Sequence, residues 1–450
     1  MMTAAKLEAS APPPAPASLL RRWLVVAALS FASIVSYVDR QVINLLVDPI
    51  KADLGLSDVQ ISLLQGFSFA LLYAFLAIPL AWVADRYNRK WVILGGVICW
   101  SAATFGSGLA MGFAVLFFAR MLVGIGEATL APAGFSMLSD YFTKEKLPAA
   151  ISVFTGTGFI GSGLALMIGG YLYSALAAAG PAVTSFGTFQ PWQLTFFAVA
   201  GLSIPVFLCL LLIREPARTG VMVLAEGEEA PPALEIFAFI KRNATVFLPL
   251  FFGFSCFAAS QFGIGAWAPS YFIRIHGWSQ MEVGQYFGPA TMFGGLAGVV
   301  AGGFLVERLL AGGMKDATLR LPMLAVACAF PFAVAFPLVS SPFVALAMLT
   351  LALFFGTVPF GAGVASFPLI TPNRMRAQII AVYLLVANLF GYSAGPLLVA
   401  WLTDNMFGSP SDIDRSLAIA PPMTMAIGLI LVALAMKPYR KMILRIEAEQ

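Results

Sequence analysis

The chain has 450 residues, of which 60% are hydrophobic and 11% charged, with a formal net charge of +4. A soluble domain carries roughly 25% charged residues, and no soluble fold has enough interior to hide this much apolar surface. Composition therefore excludes a water-soluble globule and makes lipid the solvent. The basic residues are strung along loops, so the positive charge does not point to nucleic acid.

Residues 1–21 are rich in Ala and Pro, lack the order of a cleavable signal peptide, and read as a disordered tail. Beyond them the charges cluster between apolar blocks of about 18 to 25 residues, the length a helix needs to cross a bilayer. A β-barrel would need alternating segments of about 10 residues. The predicted class is an all-α integral membrane protein with twelve spans, at residues 22–47, 60–84, 91–110, 112–139, 148–174, 192–213, 244–272, 281–306, 319–339, 342–370, 376–402 and 419–437. A linker at 214–243 separates two six-helix bundles, 22–213 and 244–437, and residues 438–450 form a tail. The linker holds Pro216, Gly220, an acidic patch at Glu226, Glu228 and Glu229, and Pro231-Pro232, with a short interfacial helix expected over 231–241.

With both termini in the cytoplasm, the inner loops hold nearly all the basic residues, among them Arg86, Arg89, Lys90, Lys144, Lys146, Arg214, Arg218, Arg308, Arg374 and Arg440. The outer loops hold only Lys51, Arg274 and Arg415. This is the positive-inside bias. The halves echo each other: Glu307-Arg308 repeats Asp85-Arg86 at an offset of 222, and spans 5 and 11 both carry close-set glycines, Gly156, Gly158, Gly161 and Gly163 against Gly391 and Gly395. Small residues at such spacing let helices approach closely, and a six-plus-six repeat is a transporter architecture with its site between the repeats near mid-membrane.

Four ionisable residues stand well inside spans: Asp39, Arg40, Arg120 and Glu127. A charge there costs several kcal/mol and marks function by default. Asp39 lies eight residues before the outer end of span 1, and Arg120 eight residues into span 4, each about 12 Å deep. Glu127 is two turns further down the same face. Apolar burial favours a neutral carboxyl and a nearby guanidinium favours the carboxylate, so a group pulled both ways changes protonation when its surroundings change. Asp39 and Glu127 are thus expected to exchange a proton, with Arg120 and Arg40 setting their affinities. A static set of ion pairs is the plainer alternative. The arginines also fit an anionic headgroup, since a guanidinium meets phosphate or carboxylate as a fork.

Asp85, Arg86, Arg89 and Lys90, at the cytoplasmic end of span 2, are candidates for a gate. The second half has no buried charge; its spans offer Phe, Met and Gly with scattered Gln261, Trp267, Tyr271, Thr357, Tyr383 and Asn388. Cys99, Cys209, Cys256 and Cys328 stand alone, so neither a metal site nor a disulfide framework is expected. His276 is the one histidine, too little for a metal or nucleophile–base site, and no P-loop occurs, so no enzyme, no cofactor and no ATP drive are expected. The sequon at Asn243 falls on the inner face and is discounted.

Ala81 to Lys90, A-W-V-A-D-R-Y-N-R-K, resembles the loop signature G-x-x-x-D-R-x-G-R-K of the major facilitator superfamily, with Ala81 and Asn88 where glycines are usual. The string D-R-Y-N-R-K, with G-I-G-E-A at Gly124 to Ala128 and Y-x-D-R at Tyr37 to Arg40, resembles its spinster branch of sphingosine-1-phosphate and lysophospholipid transporters. The last string is shared with organic-anion symporters. The resemblance implies the major facilitator fold and a gating role for Asp85. Together these readings predict a monomeric secondary transporter in a bacterial inner membrane, moving a lipid-like amphiphile by alternating access with protons as the coupling ion. The substrate headgroup is expected near Arg40, Arg120 and Glu127, with the tail against the second half. The alternatives are an anion/proton symporter, proton-driven drug efflux and a non-transporting sensor.

Overall fold

The computed structural model describes residues 19–143, 146–185, 187–216 and 233–449. The expected N-terminal disorder, the acidic patch of the linker and Lys144 lie outside the described residues. Twelve helices are long and apolar enough to cross a membrane, and they take the places the hydropathy pattern assigns. Span numbers below follow the sequence analysis. The linker helix is present as Ala233–Arg242. One element was not expected: a two-stranded antiparallel hairpin, Ala182–Thr184 against Gly187–Phe189, between spans 5 and 6.

Several helices outrun the apolar blocks that announce them. The last runs from Ile413 to Glu449, 37 residues, against 19 expected at 419–437. At about 1.5 Å per residue it is some 55 Å long and projects beyond a hydrocarbon core of about 30 Å. Hydropathy marks only the part in lipid, and polar helix continues past it. Span 4 is broken instead of extended: it comprises Phe113–Glu127 and Leu130–Tyr141, with the break directly after Glu127. Span 2 begins with Asp58–Ser62, passes through a π-helical turn at Leu63–Phe67, and continues as Ser68–Arg86.

The internal repeat is visible in the caps. Span 2 starts with a capping box between Ser57 and Gln60, and span 8 with one between Ser279 and Glu282, again 222 residues apart. Each is followed by a π-turn, the second at Val283–Phe287. Such turns are frequent at functional sites. Asn88 earns its place where the loop signature usually has glycine: its side chain accepts from Trp91 N at 3.2 Å and caps span 3.

Within the first bundle span 1 packs on span 5 and span 3 on span 4; within the second, span 7 runs between spans 11 and 12. The bundles meet along spans 5 and 8 and along spans 2 and 11. Two glycines show how closely. A Cβ on Gly163 would lie 2.5 Å from Gly288 O, and one on Gly66 would lie 1.7 Å from Tyr392 O. Neither seam closes with a larger residue.

Candidate functional site

Span 1 delivers Asp39 and Arg40 side by side, and adjacent helix positions point apart by about 100°. Arg40 turns toward the junction of the bundles. Its Nε donates to Glu127 Oε2 at 3.0 Å, its Nη2 makes a shorter contact with the same oxygen, and its Nη1 donates to Tyr392 OH at 3.1 Å. Four rings surround the guanidinium: Phe69 at 4.0 Å, Tyr37 at 4.8 Å, Tyr73 at 5.4 Å and Tyr392 at 5.7 Å from its carbon to the ring centroids. Each ring face is attractive to a cation, by about 2 kcal/mol where water is excluded. Three of the rings belong to the first bundle and Tyr392 to the second, so the cage is complete only when spans 2 and 11 are in contact.

Asp39 turns the other way. Thr104 of span 3 donates its hydroxyl to Asp39 Oδ1, and Arg120 Nη1 stands 3.7 Å from the same oxygen. Arg120 also donates to the carbonyls of Asp39 at 3.2 Å and Arg40 at 2.9 Å. The expected common depth of Asp39, Arg40 and Arg120 therefore holds, and Glu127 follows below them. Asp39 Oδ2, Glu127 Oε1 and Arg120 Nε have no hydrogen-bond partner among the described residues. Each carboxyl thus has one oxygen engaged and one unengaged.

A cavity of about 820 Å³ lies between the bundles. It reaches from the level of Leu166 and Phe287 to that of Ser152 and Gly303, close to the end of the molecule, called the terminal end below, where the first described residue, Leu19, and the last, Glu449, lie. Most of its wall comes from spans 7, 8, 10 and 11, with Phe262, Phe360, Leu296 and Val299 among apolar residues and Gln261, Thr357 and Asn388 among polar ones. Spans 1 and 5 supply the rest, including Tyr37, Gln41 and Thr155. Among the described residues, no acidic or basic side chain lines it.

That geometry corrects one expectation. Arg120 is fully buried against the backbone of span 1 and Glu127 is engaged by Arg40, so neither faces the cavity as a headgroup ligand. A residue eight positions into a span can face lipid, a cleft or a neighbouring helix, and spacing alone cannot tell which. Of the four charges, Arg40 lies behind the lining residues Tyr37 and Tyr392, and Glu127 is linked to the cavity through Arg40. Gln261, Thr357 and Asn388 do line it, whereas Trp267 and Tyr271 are buried away from it, Trp267 donating to Pro396 O at 3.0 Å.

At the end opposite the termini the bundles are bolted together. Arg274 of span 7 donates from Nε to Asp48 at 2.8 Å and grips Asp58 with both terminal nitrogens, at 2.8 and 2.9 Å. Lys51 also pairs with Asp58. Val59 N donates to Asp404 of span 11 at 2.7 Å, and Gln65 to Ala266 O at 3.1 Å. Sequence reasoning missed this set, though the signal was present: Arg274 and Lys51 are two of the three basic residues on that side and face Asp48 and Asp58.

The 81–90 loop behaves differently from a gate closed across the bundles. Arg89 is buried, pairs with Asp140 and with Glu215 Oε1 at 2.8 Å, and donates to Ser136 O at 3.1 Å. Lys90 donates to Leu211 O at 2.7 Å, and Arg86 lies 3.7 Å over Trp82. These partners lie in the first bundle and, for Glu215, at the start of the linker, so none crosses to the second bundle. Asp85 is exposed and forms no ion pair among the described residues.

The pattern of the Major Facilitator Superfamily matches residues 29–396, most of the chain. The chain belongs to the major facilitator superfamily. Within it the chain is similar to proteins of the spinster type. A bacterial homologue of the human lysosomal transporter spinster, solved in an inward-facing and unoccupied conformation, superposes with a TM-score of 0.79 and 27% identity, over 95% of this chain and 99% of that one. Protein spinster of Drosophila melanogaster is 28% identical over 87% of this chain, which spans 64% of that protein's length. An MFS-type efflux pump of Mycolicibacterium smegmatis is 27% identical, covering 94% of both chains. The superfamily member is thus a transporter of the spinster type, a multi-pass integral membrane protein whose two bundles enclose the cavity.

Proposed function

We propose that the protein is a secondary transporter that carries a lipid-like amphiphile, of the lysophospholipid or sphingoid phosphate type, by alternating access with proton coupling. The observation that carries this reading is the cavity: long, mostly apolar and, among the described residues, without a single cationic side chain on its wall. A small carboxylate would need a charged partner there, because an unpaired anion is costly out of water. An acyl chain needs only apolar wall, and the polar end of an amphiphile can hydrogen-bond to Gln261, Thr357 and Asn388. Arg40 lies behind Tyr37 and Tyr392, within reach of an anionic headgroup once those rings part.

In this reading the terminal end is cytoplasmic, in keeping with the basic inner loops, and the cavity opens inward in a bacterial inner membrane. Glu127 and Asp39 take up and release the proton. Protonation of Glu127 would remove the charge that holds Arg40, free it toward the headgroup, and loosen the cage that ties span 11 to span 2. Asp85 would close the inner face by pairing across the bundles when the outer end opens. Transport by a single chain suffices.

The test is uptake of a fluorescent lysophospholipid into proteoliposomes, with and without a pH gradient. Gradient-driven uptake supports the proposal, and absence of flux in both conditions overturns it. The Mycolicibacterium relative, an MFS-type efflux pump, favours a second reading, proton-driven efflux, here of drug-like compounds. Flux of ethidium that lysophospholipid does not inhibit would favour it instead.

A further inference from the structure

Away from the central cavity, a depression of about 470 Å³ sits at the terminal end of the second bundle. It lies between the turn that joins spans 8 and 9 and the last turns of the long final helix, with Met314, Lys315, Asp316, Arg320, Arg440 and Leu444 in its wall. We infer that this depression is a binding site for a phosphate-bearing anion, filled in the membrane by the headgroup of an anionic phospholipid.

The argument rests on how the two arginines are held. Asp316 is almost fully buried, at 4% exposure. Its carboxylate takes Arg320 Nε at 3.0 Å and makes a shorter bond with Arg440 Nε. Burial disfavours its charge, but the hydrogen bonds from Arg440 and Arg320 outweigh that and hold the carboxyl below its usual range. Asp316 is therefore an ionised brace that fixes both guanidiniums by their inner nitrogens. The terminal nitrogens of both, on side chains 49% and 45% exposed, have no partner among the described residues. Two oriented guanidinium ends share the single Asp316 carboxylate and present the fork geometry that suits phosphate oxygens.

Placement favours a lipid source over a free ion. Arg440 lies just past the apolar part of the final helix, with Lys437 and Lys441 beside it. Leu444 is 57% exposed next to the basic groups, where a glycerol backbone and acyl chain would pass. Basic pockets between helices at this level are where anionic headgroups bind. The site is distinct from the transport cavity, and it ties the start of span 9 to span 12 within one bundle.

The test uses the full chain in detergent. Thermal stability is followed while phosphatidylglycerol, phosphatidylcholine or inorganic phosphate is added, and retained lipid is read by native mass spectrometry. Wild type, Arg320→Gln and the double variant Arg320→Gln/Arg440→Gln are compared. Arg320→Gln leaves Arg440 paired with Asp316, so it remains informative if the double variant folds poorly. Phosphatidylglycerol should stabilise the wild type more than phosphatidylcholine does, with affinity falling about fivefold for each cation removed. Stabilisation by phosphatidylglycerol alone identifies a lipid; equal, variant-sensitive stabilisation by inorganic phosphate identifies a free anion at the same site. No preference for phosphatidylglycerol or phosphate over phosphatidylcholine, or a preference that survives in every variant, overturns the inference.

Discussion

The two ends of the molecule use ion pairs in opposite ways. At the end away from the termini, Arg274 of the second bundle holds Asp48 and Asp58 of the first. At the terminal end, Arg89 holds Asp140 and Glu215 within the first bundle, and Asp316 holds Arg320 and Arg440 within the second. One end is closed by charges that cross, and the other is open with charges that stay home. Crossing pairs must break during alternating access, whereas internal pairs keep each bundle rigid while it rocks. The conformation seen here is therefore set chiefly by the crossing pairs and by the close seam beside them.

Breaking the largest crossing pair is the strongest test. Arg274→Ala leaves Asp48 without its cation and Asp58 with Lys51 alone, and loss of one partner from a buried pair costs about 3 kcal/mol. Spin labels at Ala52 and Asn405, in a chain whose four cysteines are replaced, should then report a wider separation by double electron–electron resonance. An unchanged distribution would show that the pairs do not hold this end shut. Gly66→Ala acts on the seam itself, since its Cβ would meet Tyr392 O. Overpacking of about 1 to 3 kcal/mol should push the same label pair apart, though less completely.

Tyr392→Phe tests the cage that joins the bundles at mid-depth. It removes one hydrogen bond to Arg40 while leaving the ring, a loss of about 1.5 kcal/mol for a bond to a charged group. Thermal unfolding in detergent should fall modestly, and a drop as large as that of Arg40→Ala would mean that the ring had moved as well. The smallest effect is expected at the open end. Asp85→Asn should change unfolding by no more than about 0.5 kcal/mol, because Asp85 is exposed here, yet it should slow transport. Unimpaired flux would remove Asp85 from the gate.

Much of this was legible in the chain. Hydrocarbon imposes helix and length together, so twelve apolar blocks gave twelve helices. The repeat showed in Asp85-Arg86 and Glu307-Arg308, and the structure extends it to the caps at Ser57 and Ser279. The buried charges of spans 1 and 4 were found because a charge in an apolar run is rare. What stayed hidden depends on direction. Nothing in the spacing says that Arg40 turns to Glu127 while Asp39 turns to Thr104. The aromatic cage was invisible because Phe69, Tyr73 and Tyr392 look like any other ring in a membrane helix. The grip of Arg274 spans more than 200 residues of sequence, so it could be read only as a charge imbalance among loops.

The pairing of Glu127 with Arg40 is where chemistry and movement would be joined. The most direct measurement is lysophospholipid flux in proteoliposomes as a function of pH, for wild type and Glu127→Gln. The account predicts that the variant folds and binds but loses the dependence of flux on the proton gradient. A variant that transports with the same pH dependence as the wild type would contradict it.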